Sequence, residues 1–253
     1  MFLRLIHFVK IAFFCCFVTT MSDELTADQQ QTIQRVLGAD DDEIVKQCVG
    51  GVVTGKSIRT LTPGGWINDE IVNYMVHLFN EKERRKNVQT STKRSYFFNS
   101  FFMPILLRHG TFDYANVGSW TVDGGDVFSF DKLFIPINNG VHWLSAIVFM
   151  ETKTIQMYDS SEQNATRDDF YLRTILEYLR HEHTNKKAFP LPDGWILRHT
   201  PTNAPKQENG DDCGVFMLTC FYCVLYNQQL DFRQSHMNLC RQKIILSIMN
   251  HNI

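Results

Sequence analysis

Apolar positions change their period along this chain, and the changes predict its elements. Ile71, Tyr74, Met75, Leu78 and Phe79 recur at helical spacing. Asn68-Asp69-Glu70 stands ahead of them and Lys82, Arg84 and Arg85 behind, charges that suit the two ends of a helix dipole. Thr26 and Gln29 have capping-box spacing for a short helix that carries Ile33, Val36 and Leu37 and ends at Gly38. Gly50 to Leu61 reads as strand-prone but broken by glycine, and Pro63-Gly64-Gly65 as a turn. A further helix is expected after Asn99-Ser100, over Phe101 to Leu107. Lys132 to Ile137, His142 to Phe149 and Thr154 to Tyr158 read as three strands of a meander, with Asn138-Asn139-Gly140 as the first turn. Arg167 to Arg180 is expected to be helical, Trp195 to His199 a short strand and Thr200 to Asp212 a polar loop. An apolar helix opens at Cys213 and runs to about Asn227, and a last helix covers Ser235 to Met249. The patterns show no internal repeat, and they predict an α+β fold rather than a regular βαβ alternation.

Composition narrows the class. The chain has 253 residues, 44% hydrophobic and 21% charged, enough for one sizeable core and short for two enzymatic domains. A net charge of −2 lacks the Lys and Arg excess of a nucleic-acid binder, which leaves proteins or small molecules as partners. Seven Cys form an odd set without a regular framework, as expected for reduced thiols in the nucleus or cytoplasm. Residues 1–20 form an apolar segment open to three readings: a secretory signal or anchor, a start placed ahead of the true one at Met21, or a buried helix. The expected organisation is that segment, a helical extension over 21–47 and a catalytic domain over 48–253.

Cys213 sits where the polar loop meets the apolar helix, so its thiol faces the unpaired N–H groups and positive end of the helix dipole, which favour a thiolate. Gly214, without a side chain, is expected to let a substrate backbone approach. The competing reading makes Cys213 a small core residue, like Cys220 and Cys223. A thiol nucleophile also needs an imidazole to take its proton and an acceptor to fix the imidazole's tautomer. His142 begins one meander strand and Asp159 ends its neighbour, so an antiparallel pairing brings the two together.

These residues carry a resemblance. Trp66 through Tyr74, Phe98-Asn99-Ser100-Phe101-Phe102, Ile135-Pro136-Ile137 with Val141-His142-Trp143 and Tyr158-Asp159-Ser160, and Gln207 with Asn209-Gly210 and Asp212-Cys213-Gly214-Val215-Phe216 occur in the order and spacing of the ubiquitin-like-protein-specific cysteine proteases. That is the sentrin-specific family acting on SUMO. The resemblance implies a papain-like clan fold with a mixed central sheet flanked by helices. It implies that Asp159 orients His142, that Gln207 donates to the oxyanion with the Cys213 N–H, and that Trp66 and Trp143 form a narrow tunnel over a Gly-Gly tail. The plainer readings are a loop amide for Gln207, a core aromatic for Trp143 and a helix staple for Trp66. Asn68 and Asp69 are expected to cap a helix. Lys206 departs from the family pattern, which often has a second Gln there, and Asp211 adds acidity beside the nucleophile.

The partner this implies is a ubiquitin-like modifier, SUMO first, and its conjugates, met by a monomer that carries no cofactor and no metal. Cys220 and Cys223 lack the second ligand pair of a zinc site. Rival readings are a protease for another modifier or for ubiquitin, a clan-related acetyltransferase, and an inactive modifier-binding module.

Overall fold

The computed structural model describes residues 24–49, 51–86, 94–118, 120, 126–161 and 164–253. The apolar segment over 1–20 lies outside them. Helix α1 (Ala27–Leu37) starts at the expected capping box and ends at Gly38, with Ile33 and Val36 buried. A short hairpin follows, β1 (Ile44–Cys48) against β2 (Gly51–Thr54). The strand-prone stretch then turns helical, as α2 (Gly55–Arg59), because the Thr54 side chain accepts the Ser57 N–H and caps a turn where strand had been expected. The long amphipathic helix α3 (Asp69–Lys86) starts at Asn68, whose Oδ1 accepts the Ile71 N–H at 3.2 Å.

The central sheet has the order β3-β4-β5-β6-β7: β3 (Ser95–Phe97), β4 (Lys132–Asn138), β5 (Trp143–Phe149), β6 (Thr154–Tyr158) and β7 (Ile196–Arg198). The expected meander β4-β5-β6 is antiparallel, and the outer strands β3 and β7 run parallel to their neighbours, which makes the sheet mixed. Alternation along the strands sends side chains to two cores. Leu133, Ile135, Leu144, Ala146 and Val148 face one core, with α4 (Phe102–Leu106) and α5 (Ala165–Lys187). Phe134, Trp143 and Ile147 face the other, shared by α1, α3, α6 (Cys213–Leu225) and α7 (Met237–Asn250). An α6 with Thr219 as its one strongly polar side chain, its hydroxyl donating to the Val215 carbonyl, suits that place, since every residue from Cys213 to Leu225 except Val224 is buried. Among the described residues no helix is long and apolar enough to cross a membrane.

Candidate active site

The β4–β5 hairpin builds one side of the site. Asn138 Oδ1 accepts the Gly140 N–H at 2.7 Å, and Gly140 takes φ +99°, a conformation glycine adopts without penalty. The Asn139 N–H donates to the His142 carbonyl at 3.2 Å, so His142 belongs to the turn and the strand starts one residue later than expected, at Trp143. Antiparallel register places Ser145 opposite Tyr158, which puts the strand ends carrying His142 and Asp159 side by side.

His142 Nε2 lies 2.7 Å from Asp159 Oδ1, and the imidazole also hydrogen-bonds Cys213. With Nε2 committed to the carboxylate, Nδ1 is the nitrogen left to serve the thiol. Burial draws the His142 pKa down, but hydrogen bonds and attraction to Asp159 and Cys213 outweigh it and raise it to about 9. The Asp159 carboxyl is pushed up by burial, yet hydrogen bonds from His142 and Ser161 and the charges of His142 and Arg167 hold it at about 2. Cys213 is the first residue of α6, as its sequence context predicts, and its Sγ accepts the Trp143 backbone N–H at 3.4 Å. Cys48, Cys213, Cys220, Cys223 and Cys240 are free thiols. Burial pushes the Cys220 and Cys223 thiols up, the opposite of what a nucleophile needs.

Gln207 is held beside the Asp159 end of β6. Its N–H donates to the Ser160 carbonyl at 2.8 Å, its Oε1 accepts from the Ser160 hydroxyl at 2.6 Å, and its Nε2 donates to the Asn209 carbonyl at 2.6 Å. A primary amide carries two N–H bonds, so one remains. Trp143 is 5% exposed and packed in the core, with its indole N–H donating to the Ile67 carbonyl at 2.9 Å. Trp66, one residue away from that carbonyl, is 55% exposed. The expectation for Gly214 needs correcting. A Cβ there would lie 2.3 Å from Ile67 Cγ1 and 3.0 Å from Trp143 Cδ1, so the missing side chain makes room for the protein's own wall rather than for a substrate.

Sequence reasoning passed over three cations at the site. Arg167, in the first turn of α5, pairs with Asp159 Oδ2. A basic residue at a helix start opposes the dipole, and that anomaly was the available signal. Lys206, legible only as a departure, donates to the carbonyls of Asp159 and Ser161 at 2.9 and 2.7 Å and clamps the segment that follows β6. Arg241, 1% exposed on α7, spends all five N–H bonds. Nε donates to Asp212 Oδ1 (2.7 Å), Nη1 to the carbonyls of Thr60 and Thr62 (3.0 Å each), and Nη2 to those of Gly65 (2.8 Å) and Asp211 (3.1 Å). One guanidinium thus joins the loop leading to Trp66 to the loop leading to Cys213. It also answers the acidity noted at Asp211, whose carboxylate lies 3.8 Å from it.

Comparison with known proteins bears on the family and the fold. The model of the Ulp1 protease family, C-terminal catalytic domain, matches residues 65–253. A sentrin-specific protease of Caenorhabditis elegans is 31% identical over 199 residues, 78% of this chain and 27% of that protein. Ubiquitin-like-specific protease 1A of Arabidopsis thaliana is 30% identical over 233 residues, 89% of this chain and 45% of that protein. The chain therefore spans less than half the length of these curated relatives. The crystal structure of the C-terminal Ulp1 protease domain in complex with Smt3, the yeast ortholog of SUMO, superposes with a TM-score of 0.77 at 25% identity, covering 90% of this chain and 96% of that one. With the family's domain model matched from Gly65 onward and the same α+β sheet beneath it, the chain belongs to the Ulp1 protease family.

Proposed function

We propose that this protein is a cysteine protease that cleaves after the C-terminal Gly-Gly of SUMO, in precursors, in conjugates or in both. The observation that carries this reading is the His142 imidazole held between a buried Asp159 and the thiol that opens α6. His142 takes the Cys213 proton and the thiolate attacks the glycine carbonyl carbon, forming a tetrahedral oxyanion. The Cys213 N–H at the helix start and the spare Gln207 N–H are the donors for that charge. His142 returns the proton to the leaving amine as the C–N bond breaks, which leaves a thioester. A water that loses its proton to His142 then attacks the thioester, giving the carboxylate product and the free thiol. Trp66 and Trp143 bracket the Gly-Gly tail, a reading supported by the exposed Trp66 ring next to the Ile67 carbonyl that holds the Trp143 indole. Substrate choice is supported by the family match and by the Smt3 complex of the yeast relative.

The test is labelling by SUMO bearing a C-terminal electrophile, run beside matching ubiquitin and other modifier probes. SUMO should label the wild-type protein, and Cys213→Ala should abolish labelling. Labelling that persists at Cys220 or Cys223 would overturn the nucleophile, and preference for another probe would overturn the substrate.

A further inference from the structure

At the far end of α7 a second cluster of titratable groups forms, which the proposed chemistry does not use. His77 and Glu81 stand one turn apart on the same face of α3. His251 caps the C-terminus of α7 with φ 50° and ψ 45°, and its imidazole meets that face. Both oxygens of the Glu81 carboxylate face an imidazole: His251 Nε2 is 2.9 Å from Oε2, which also accepts from Arg85 Nη2 at 3.3 Å, and His77 Nε2 is 3.7 Å from Oε1. The two rings lie 5.8 Å apart between centroids, and one ligand atom from each of the three residues falls within 4.8 Å of the others.

The other ring nitrogen of His251, Nδ1, is 2.8 Å from the Tyr74 hydroxyl, and Tyr74 in turn hydrogen-bonds Cys48. Tyr74 is 1% exposed, so this outer contact is fixed in the core. Anchoring one ring nitrogen fixes the orientation of an imidazole and presents the other, which is how histidine ligands are oriented around a metal. Two imidazoles and a carboxylate are also a donor set that Zn²⁺ accepts, leaving a fourth position for water.

We propose that His77, Glu81 and His251 bind a divalent cation of the Zn²⁺ class, tying the C-terminal end of α7 to α3. All three groups are half-buried, reachable by an ion yet partly shielded from solvent. Burial lowers the proton affinity of His77, Glu81 acts against that, and Arg84 and His251 add to the fall. The residues are close only because α7 returns along α3, so no sequence motif announces the cluster.

The test is calorimetric titration with Zn²⁺ alone. Full-length Cys213→Ala protein is used, so that the thiol and imidazole of the protease site do not compete as a pair. One ion should bind per chain, and His77→Gln and His251→Gln should each weaken binding by at least about tenfold, as loss of one of three ligands requires. Co²⁺ in place of Zn²⁺ should give a visible spectrum without a thiolate charge-transfer band. Thermal unfolding keeps the test independent of variant folding: Zn²⁺ at about a hundredfold excess over Kd should raise Tm in the parent and not in His251→Gln, with metal-free Tm values compared first. Absence of stoichiometric binding, binding in either His variant as tight as in the parent, or a thiolate band would overturn the site and leave a hydrogen-bonded cluster only.

Discussion

At the scale of single residues, the site turns on how Asp159 sets the proton affinity of His142. With the imidazole raised to about 9, the imidazolium form prevails at neutral pH, and its loss above that value sets an alkaline limb of kcat/KM. Asp159→Asn removes the charge and leaves the amide free to meet the wrong tautomer. We expect kcat/KM to fall by roughly 10²- to 10⁴-fold with the fold intact, and the alkaline limb to move to lower pH, toward the ordinary histidine value. A pH–rate profile with its limb unmoved would mean that another acceptor orients the ring. The sign for stability follows from the same shifts. The His142 contribution is complete below the unfolded value near 6.5 and disappears as pH rises through about 9, while that of Asp159 is present above about 4 and disappears as pH falls through about 2. Gly214→Ala drives a methyl into Ile67 and Trp143; overpacking of this kind costs about 1–3 kcal/mol, readable as a lower Tm together with lost turnover. The His142–Asp159 pair was legible because a hairpin forces its ends together, and the place of Cys213 because a polar loop meets an apolar helix there. Arg167 and Lys206 act through tertiary contacts that leave no periodic trace.

At the scale of elements, the long and periodic ones were readable and the short ones were not. Helix α3 and the three-strand meander follow from apolar spacing alone, whereas β3 has three residues and exists because β4 offers it a parallel edge. Helix α2 prevailed over a strand pattern through one threonine cap. Helix α7 held an unread signal: Arg241 interrupts a face made by Cys240, Ile244 and Ile245, and a charge on a buried face implies a built receptor for it. That receptor is four carbonyls and a carboxylate. Arg241→Gln should destabilise the protein by about 3–5 kcal/mol, since it strands buried acceptors and the Asp212 charge. Arg241→Lys should restore little, because an ammonium has three donors and no planar fork. Denaturant unfolding of the three proteins decides this, and a Lys variant of full stability would show that charge alone suffices.

At the scale of the molecule, α1 precedes the family-matched region at 65–253 yet contributes Ile33 and Val36 to the core that holds α6 and α7. Ile33→Ala should therefore cost about 2 kcal/mol or more and lower Tm, despite its distance in sequence from α6 and α7. An unchanged Tm would make α1 a passive appendage. The fastening by Arg241 has a consequence in time. Its acceptors, from Thr60 to Asp212, all leave the ribosome before it does, so vectorial synthesis delivers the clasp after both loops it must join. A nascent chain already carrying His142, Asp159 and Cys213 therefore lacks this fastening until Arg241 itself emerges, and the two loops stay unjoined up to that point.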